Sequence, residues 1–433
     1  MMESAVVDRD VPGDAAYECP GQKPVLRVGI FSDTQSRPGR ETDRGQIAMR
    51  RSMEQLKKKG IDVLLFAGDI ANDGMRQVYE EYRVIDREVF GDNPPEEFLI
   101  MGNHDYRNGK GLDGARKNFL EGMGLSSVNK SKVVNGYSFI AVSPDGPGCV
   151  VDSYSDEACK YLQDEIEAAE ARDPDKPIFV MTHHHAKDTV YGSAAWGVQG
   201  LTDVLSKYEN VVHFSGHSHT PMCDERSIHQ DKFTAIGTST LAYCEMEKGW
   251  VNGSCPPMAI DCQEYIYMEV FKDKLVVKRF RCATNQEIKP HLRWVLPLPL
   301  KREDFTYTDK RAELSKAPYF PDGAKATVSF PEISEVENAF WVTFNTACHE
   351  DCVTTYFIHA FEKLDDGSWR KMWERKYYSD YFRGPENIQN PYSTWVMKEG
   401  FVPGRDYKLE IYPMEPFGKI GDKPLSVEFT MPF

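Results

Sequence analysis

Six side chains of metal-binding type close five apolar runs of the chain: Asp33, Asp69, Asn103, His183 and the pair His217/His219. Asp, Asn and His in one set suit borderline divalent ions such as Zn, Mn or Fe, whereas Ca calls for oxygen donors almost alone. A carboxylate shared by two such ions allows a separation of about 3.5–4 Å, the spacing of two-metal phosphoester hydrolysis. An ion pair of this kind lowers the pKa of bound water, giving a metal-bound hydroxide, and clamps both oxygens of an in-line displacement. His104 follows Asn103 directly and is placed to protonate the leaving oxygen, with Asp105 orienting its imidazole. Gly68, Gly102 and Gly216 stand immediately before three of the six, where the backbone must turn sharply and approach an ion closely.

The elements that carry these residues follow from the apolar pattern. Residues 25–31 form an apolar run that ends in Ser32-Asp33, residues 61–67 end in Gly68-Asp69, and residues 98–101 end in Gly102-Asn103. Between them, residues 43–59 read as a helix closed by Gly60, and Val78, Tyr82, Ile85 and Val89 lie on one helical face. Residues 178–181 lead into the run His183-His184-His185, and residues 211–214 lead into Gly216-His217-Ser218-His219. Ser155 is placed to cap a helix whose apolar stripe is Ala158, Leu162, Ile166 and Ala169, and residues 265–281 read as a hairpin. Strand–helix–strand alternation predicts an α/β sheet with many parallel strands, whose carboxyl ends share one edge. The expectation is that all six residues converge at the edge of one sheet.

Past residue 290 the character changes. Pro297, Pro299, Pro318 and Pro321 punctuate a linker over 291–322. Short aromatic strand runs with polar turns then fill 323–433, predicting an all-β sandwich. Residues 1–23 form a polar, acidic tail without the basic start and apolar run of a secretory signal, which points to a cytoplasmic protein. The 433 residues carry a formal charge of −15 and contain no run long and apolar enough for a membrane span. That balance gives no electrostatic footprint for nucleic acid, so an anionic substrate needs local positive charge, which bound metal supplies. Ten cysteines without a CxxC pair exclude a zinc ribbon, and the Cys348–Cys352 cluster reads as strand packing and a turn.

In order, Ser32-Asp33-Thr34-Gln35, Gly68-Asp69-Ile70, Gly102-Asn103-His104-Asp105, His183 and Gly216-His217-Ser218-His219 resemble the motif set of the calcineurin-like metallophosphoesterases over about residues 25–285. The resemblance implies a four-layer α/β/β/α sandwich over 24–290, with two divalent ions (Mn, Fe, Zn or Mg, with Mn favoured) at its edge. It implies that Asp33, His219 and the residue at position 35 hold one ion, that Asp69 bridges, and that Asn103, His183 and His217 hold the other. His104 would then contact the phosphate and serve the leaving group. The C-terminal segment resembles fibronectin type III-like modules. One position departs from the pattern: Gln35 stands where the family has His, exchanging an imidazole nitrogen for a harder amide oxygen and shifting preference from Zn towards Mn or Mg.

Blander readings apply around this set. His184 is a substrate contact, His185 supports the ligands from behind or is solvated, His213 is a core or supporting histidine, and Trp196 is either a stacking wall for a flat group or loop packing. The function expected is metal-dependent hydrolysis of a small phosphoester, a diester first and a monoester or nucleotide as the alternative. A non-catalytic metal-binding module is the other class, against which His104 speaks, because a scaffold has no use for a leaving-group acid. No partner for the C-terminal domain can be named from these residues.

Overall fold

The computed structural model describes residues 22–146, 153–331 and 336–432. Most of the expected tail, residues 1–21, lies outside them. Two six-stranded sheets face one another. The first contains β1 (Leu26–Phe31), β2 (Val63–Phe66), β3 (Glu96–Leu99), β12 (Glu264–Val270), β13 (Lys274–Arg281) and β14 (Trp294–Pro297), in the order β14-β13-β12-β1-β2-β3. The second contains β4 (Lys130–Val134), β5 (Tyr137–Val142), β6 (Ile178–Thr182), β9 (Val211–Ser215), β10 (Ile228–Gln230) and β11 (Thr234–Gly237), in the order β10-β11-β9-β6-β5-β4. β7 (His185–Ala186) and β8 (Gly197–Val198) make a separate short pair. Strands β1, β2 and β3 are parallel, as are β5, β6, β9 and β11.

Helices α1 (Arg44–Lys59), α2 (Arg76–Phe90) and α3 (Gly111–Met123) cover the outer face of the first sheet through Met53, Leu56, Tyr82, Ile85 and Phe119. Helices α4 (Asp156–Arg172) and α6 (Gln199–Leu205), with the short α5 (Ser193–Trp196) between them in the chain, cover the second through Leu162, Ile166 and Leu201. Between the sheets lie Val28, Ile30, Leu65, Phe98, Phe139, Phe179 and Phe214. The result is four layers, α/β/β/α, as expected. Local signals behave as read: Asp43 accepts from Gln46 N at 3.0 Å to cap α1, Gly60 closes it at φ 72°, and Ser155 caps α4.

Two expectations are corrected. The six donor residues come from two sheets, not one, because the antiparallel pair β4–β5 starts a second sheet after β3. The segment 291–322 is not only a linker, since Trp294–Pro297 pairs with β13 as an edge strand and Trp294 is fully buried. Pro297 is tolerated there because an edge strand does not need every N–H as a ladder donor.

The C-terminal part consists of antiparallel sheets. One contains β15 (Ala326–Ser329), β16 (Ala339–Phe344) and β19 (Tyr392–Met397); the other contains β17 (Thr355–Lys363), β18 (Trp369–Tyr378), β20 (Asp406–Met414) and β21 (Leu425–Thr430). Phe340, Tyr356, Ile358, Tyr407 and Ile411 fill the space between them. Among the described residues, no helix is long and apolar enough to cross a membrane.

Candidate metal centre

The carboxyl ends of β1, β2 and β3 deliver Asp33, Asp69 and Asn103, and those of β6 and β9 deliver His183, His217 and His219, to one edge of the stacked sheets. Donor atoms of Asp33, Asp69 and His183 lie within 4.8 Å of one another, as do those of His183, His184 and His217. His183 Nε2 is 3.1 Å from Asn103 Oδ1 and 3.4 Å from Asp69 Oδ1. On the other side, His219 Nε2 is 3.2 Å from Asp33 Oδ1 and 3.2 Å from Gln35 Nε2. All seven residues expected to bind metal therefore gather at this edge, and His104 lies beside them.

Main-chain geometry makes the gathering possible. Asp33, Gln35, Asp69, His217 and His219 all have positive φ, between 43° and 71°. Such a conformation is uncommon outside glycine, although Asp and His tolerate it better than most. Residues held this way cluster at functional sites, at about 1–3 kcal/mol each. The preceding glycines are needed for room. A Cβ on Gly102 would lie 2.2 Å from Asp69 Oδ1, one on Gly216 would lie 2.3 Å from Asp33 Oδ2, and one on Gly68 would lie 2.7 Å from His183 Nδ1.

Electrostatics identify what is to be bound. Asp33 and Asp69 are 0% and 1% exposed, and among the described residues neither pairs with Lys or Arg. Burial, with the Asp33 charge adding to it, pushes the Asp69 carboxyl up to about 6 against the opposing pull of His104. Buried carboxylates of this kind are held by cations or metals. The imidazoles are set up to match. His183 Nδ1 donates to Ala67 O at 2.8 Å and His219 Nδ1 to Tyr243 O at 2.9 Å, which leaves each Nε2 lone pair facing the cluster. Burial holds His183 and His217 below the ordinary histidine range, so both stay neutral and able to ligate. The donor set fits divalent cations.

Around the ligands the roles sort further. His104 is half-buried; its main-chain N–H donates to Asp69 Oδ1 at 2.8 Å, and its Nε2 lies 3.2 Å from Gln35 Nε2. Asp105 does not orient this ring, contrary to expectation. Its carboxylate accepts from Gly102 N, Ala71 N and the Tyr79 hydroxyl, each at 2.8 Å, and from Ile70 N at 3.2 Å, bracing the loops that carry Asp69 and Asn103. The orienting oxygen is the Asn72 carbonyl, 3.1 Å from His104 Nδ1. His184 is buried with its ring 4.3 Å from that of His217, and Trp196, 41% exposed, has its ring 5.1 Å from His217. His185 is held between the Ser215 and Ser218 hydroxyls at 2.7 Å each, and His213 bonds Thr182 Oγ1 at 2.7 Å. Both are buried, so of the two readings of His185 the solvated one does not hold. Tyr243 is the residue that sequence reasoning missed: its ring lies 4.6 Å from His219, but no motif marks it.

A model of the calcineurin-like phosphoesterase family matches residues 26–221, the span from β1 to just past His219. This segment is similar to the calcineurin-like phosphoesterases. That similarity supports a hydrolase acting on phosphoesters, and the family implies divalent metal ions. A relative described as a 3',5'-cyclic-nucleotide phosphodiesterase, from Nostoc sp., is 23% identical over 198 residues, covering 44% of this chain and 67% of its own. Among solved structures, a purple acid phosphatase from yellow lupin (Lupinus luteus) seeds is similar at a TM-score of 0.46 and 11% identity over 64% of this chain. The match spans 55% of the lupin enzyme's length. A human fibronectin type III domain is similar over 27% of this chain and 79% of its own, at 14% identity and a TM-score of 0.16.

Proposed function

We propose that the phosphoesterase domain hydrolyses small phosphodiesters with a dinuclear divalent centre, Mn favoured, in which Asp69 bridges. Asp33, His219 and Gln35 hold one ion, and Asn103, His183 and His217 hold the other. The observation that carries this reading is the pair of buried carboxylates without Lys or Arg partners among the described residues, facing imidazole Nε2 atoms whose Nδ1–H groups are tied to main-chain carbonyls. When bound, such a pair supplies Lewis acidity to the phosphoryl oxygens and acidifies water. His104, fixed by Asn72 O, presents Nε2 to the leaving oxygen and delivers its proton. Trp196, exposed beside His217, offers a flat face to the ester group, and buried His184 shapes the same wall. The description of the Nostoc relative as a cyclic-nucleotide phosphodiesterase supports a diester over a monoester.

The test is turnover of bis(p-nitrophenyl) phosphate, p-nitrophenyl phosphate and 3',5'-cyclic nucleotides by metal-depleted chain given Mn, Zn or Mg. Diester cleavage that needs added metal and disappears in Asn103→Ala is expected. Equal turnover by Asn103→Ala, or hydrolysis of the monoester alone, refutes the proposal.

A further inference from the structure

The stretch 238–258 contains no helix or strand, yet it carries the carbonyl that orients His219. A segment of that length without regular structure is ordinarily mobile, and a ring oriented by it shares the motion. At the centre's end the loop is tied to His219 three ways. Tyr243 O accepts from Nδ1 at 2.9 Å, Glu245 N donates to His219 O at 3.0 Å, and the Tyr243 ring lies 4.6 Å from the imidazole. A few residues further on, the same loop is tied to the C-terminal sandwich, mostly at the last residues of β18. Trp250 stacks on Tyr378 with centroids 4.6 Å apart and planes at 11°. Asn252 Nδ2 donates to Tyr378 O and Tyr378 N to Asn252 Oδ1, both at 2.9 Å. The Tyr378 hydroxyl donates to Glu247 O at 2.9 Å, Val251 N to Lys376 O at 2.8 Å, and Trp250 Nε1 to Thr355 Oγ1 at 2.9 Å.

We propose that the C-terminal sandwich is a working part of the phosphoesterase site. Tyr378 is a positioning residue: through the 243–252 stretch it fixes the His219 ring, and so sets the affinity of the ion that His219 holds. The inference rests on the reading of His219 as a ligand. Groups that orient a ligating imidazole by its second nitrogen are worth about 10–100-fold in metal affinity. Loosening the loop therefore weakens one ion of the two and leaves the other, held by Asn103, His183 and His217, unchanged.

The experiment is calorimetric titration of metal-depleted full-length chain with Mn, on wild type, Tyr378→Leu, Asn252→Ala and Ile411→Val. Ile411 is buried in the sandwich core on β20, which does not pair with β18, and controls for loss of sandwich stability. Wild type takes up two ions. Tyr378→Leu binds one as tightly as wild type and the other about tenfold or more weakly, and excess Mn restores its kcat. Asn252→Ala shows the same selective loss and carries the test if Tyr378→Leu does not fold. Ile411→Val melts earlier yet binds both ions as wild type does. Two unchanged affinities in the loop variants, or equal weakening in Ile411→Val, overturn this inference alone. A wild-type chain that takes up fewer than two ions overturns the metal-centre reading and this inference with it.

Discussion

Gly102→Ala is the sharpest perturbation of the centre, because it adds one methyl group and no charge. The new Cβ would stand 2.2 Å from Asp69 Oδ1, 2.5 Å from Asp69 N and 2.8 Å from Asp69 Cγ. Ordinary contact begins at 3.4 Å, so the carboxylate has to retreat by the difference, 1.2 Å. A side-chain rotation cannot provide this, since the backbone nitrogen is crowded too and the ends of β2 and β3 must part. Gly102 is not among the residues with positive φ, so backbone conformation opposes the alanine little and crowding dominates. A misplacement of about 1 Å in a reacting constellation costs about 100-fold in rate, equivalent to ~2.7 kcal/mol at 1.36 kcal/mol per tenfold. The assay is turnover of bis(p-nitrophenyl) phosphate at saturating Mn, with a Mn titration alongside. Gly200→Ala on α6 is the control, because its Cβ meets only Cys159 Sγ, at 3.4 Å. If Gly102→Ala keeps turnover within about twofold of wild type, the proposed role of Asp69 as a shared ligand is refuted.

Three further outcomes follow from the same structure. Gln35→His replaces an amide that lies 3.2 Å from both His104 Nε2 and His219 Nε2; it shifts preference towards Zn, read by metal analysis after mixed-metal dialysis, and identical occupancy in both proteins refutes it. His104→Ala lowers kcat about 100-fold for an alkoxide leaving group such as a nucleoside, and by far less for nitrophenolate, which needs no proton; equal losses would remove His104 from acid duty. Asp86 on α2 is buried, and desolvation together with the Glu97 charge pushes its carboxyl up to about 6. The native state therefore keeps a proton that the unfolded chain gives up near pH 4, so this group's contribution is full below pH 4 and is lost as pH rises through 6. The Tm advantage of Asp86→Asn over wild type should thus grow from pH 4 to pH 7, and a pH-independent difference would contradict the assignment.

Much of the centre was legible because its residues sit where apolar runs stop, and run ends are local facts. Gly68-Asp69 and Gly216-His217 announce a tight approach in two letters, and Asp43 and Gly60 bracket α1 by cap chemistry that needs no tertiary context. What could not be read was anything decided across the fold. Runs ending in Asn103 and His183 look alike, and only the antiparallel β4–β5 pair, whose short strands carry polar residues, separates the sheets. Trp294–Pro297 is four residues long and ends in proline, so by composition it reads as linker, and only its pairing with β13 reveals a strand. Asp105 follows His104 immediately, yet the 3-10 turn over His104–Tyr106 points the two side chains to different partners. Tyr243 acts through a carbonyl oxygen, which every residue has, and so leaves no trace in its letter.

The division of donors between the sheets has a mechanical consequence. With Asp33, Asp69 and Asn103 on one side and His183, His217 and His219 on the other, divalent metal bound at this edge would rivet two otherwise separately hydrogen-bonded slabs. Since a ligand that binds only the native state raises its stability by mass action, adding metal should raise the melting temperature of both slabs together. Heat resistance then becomes a gauge of how full the centre is, legible even in a preparation that turns over nothing.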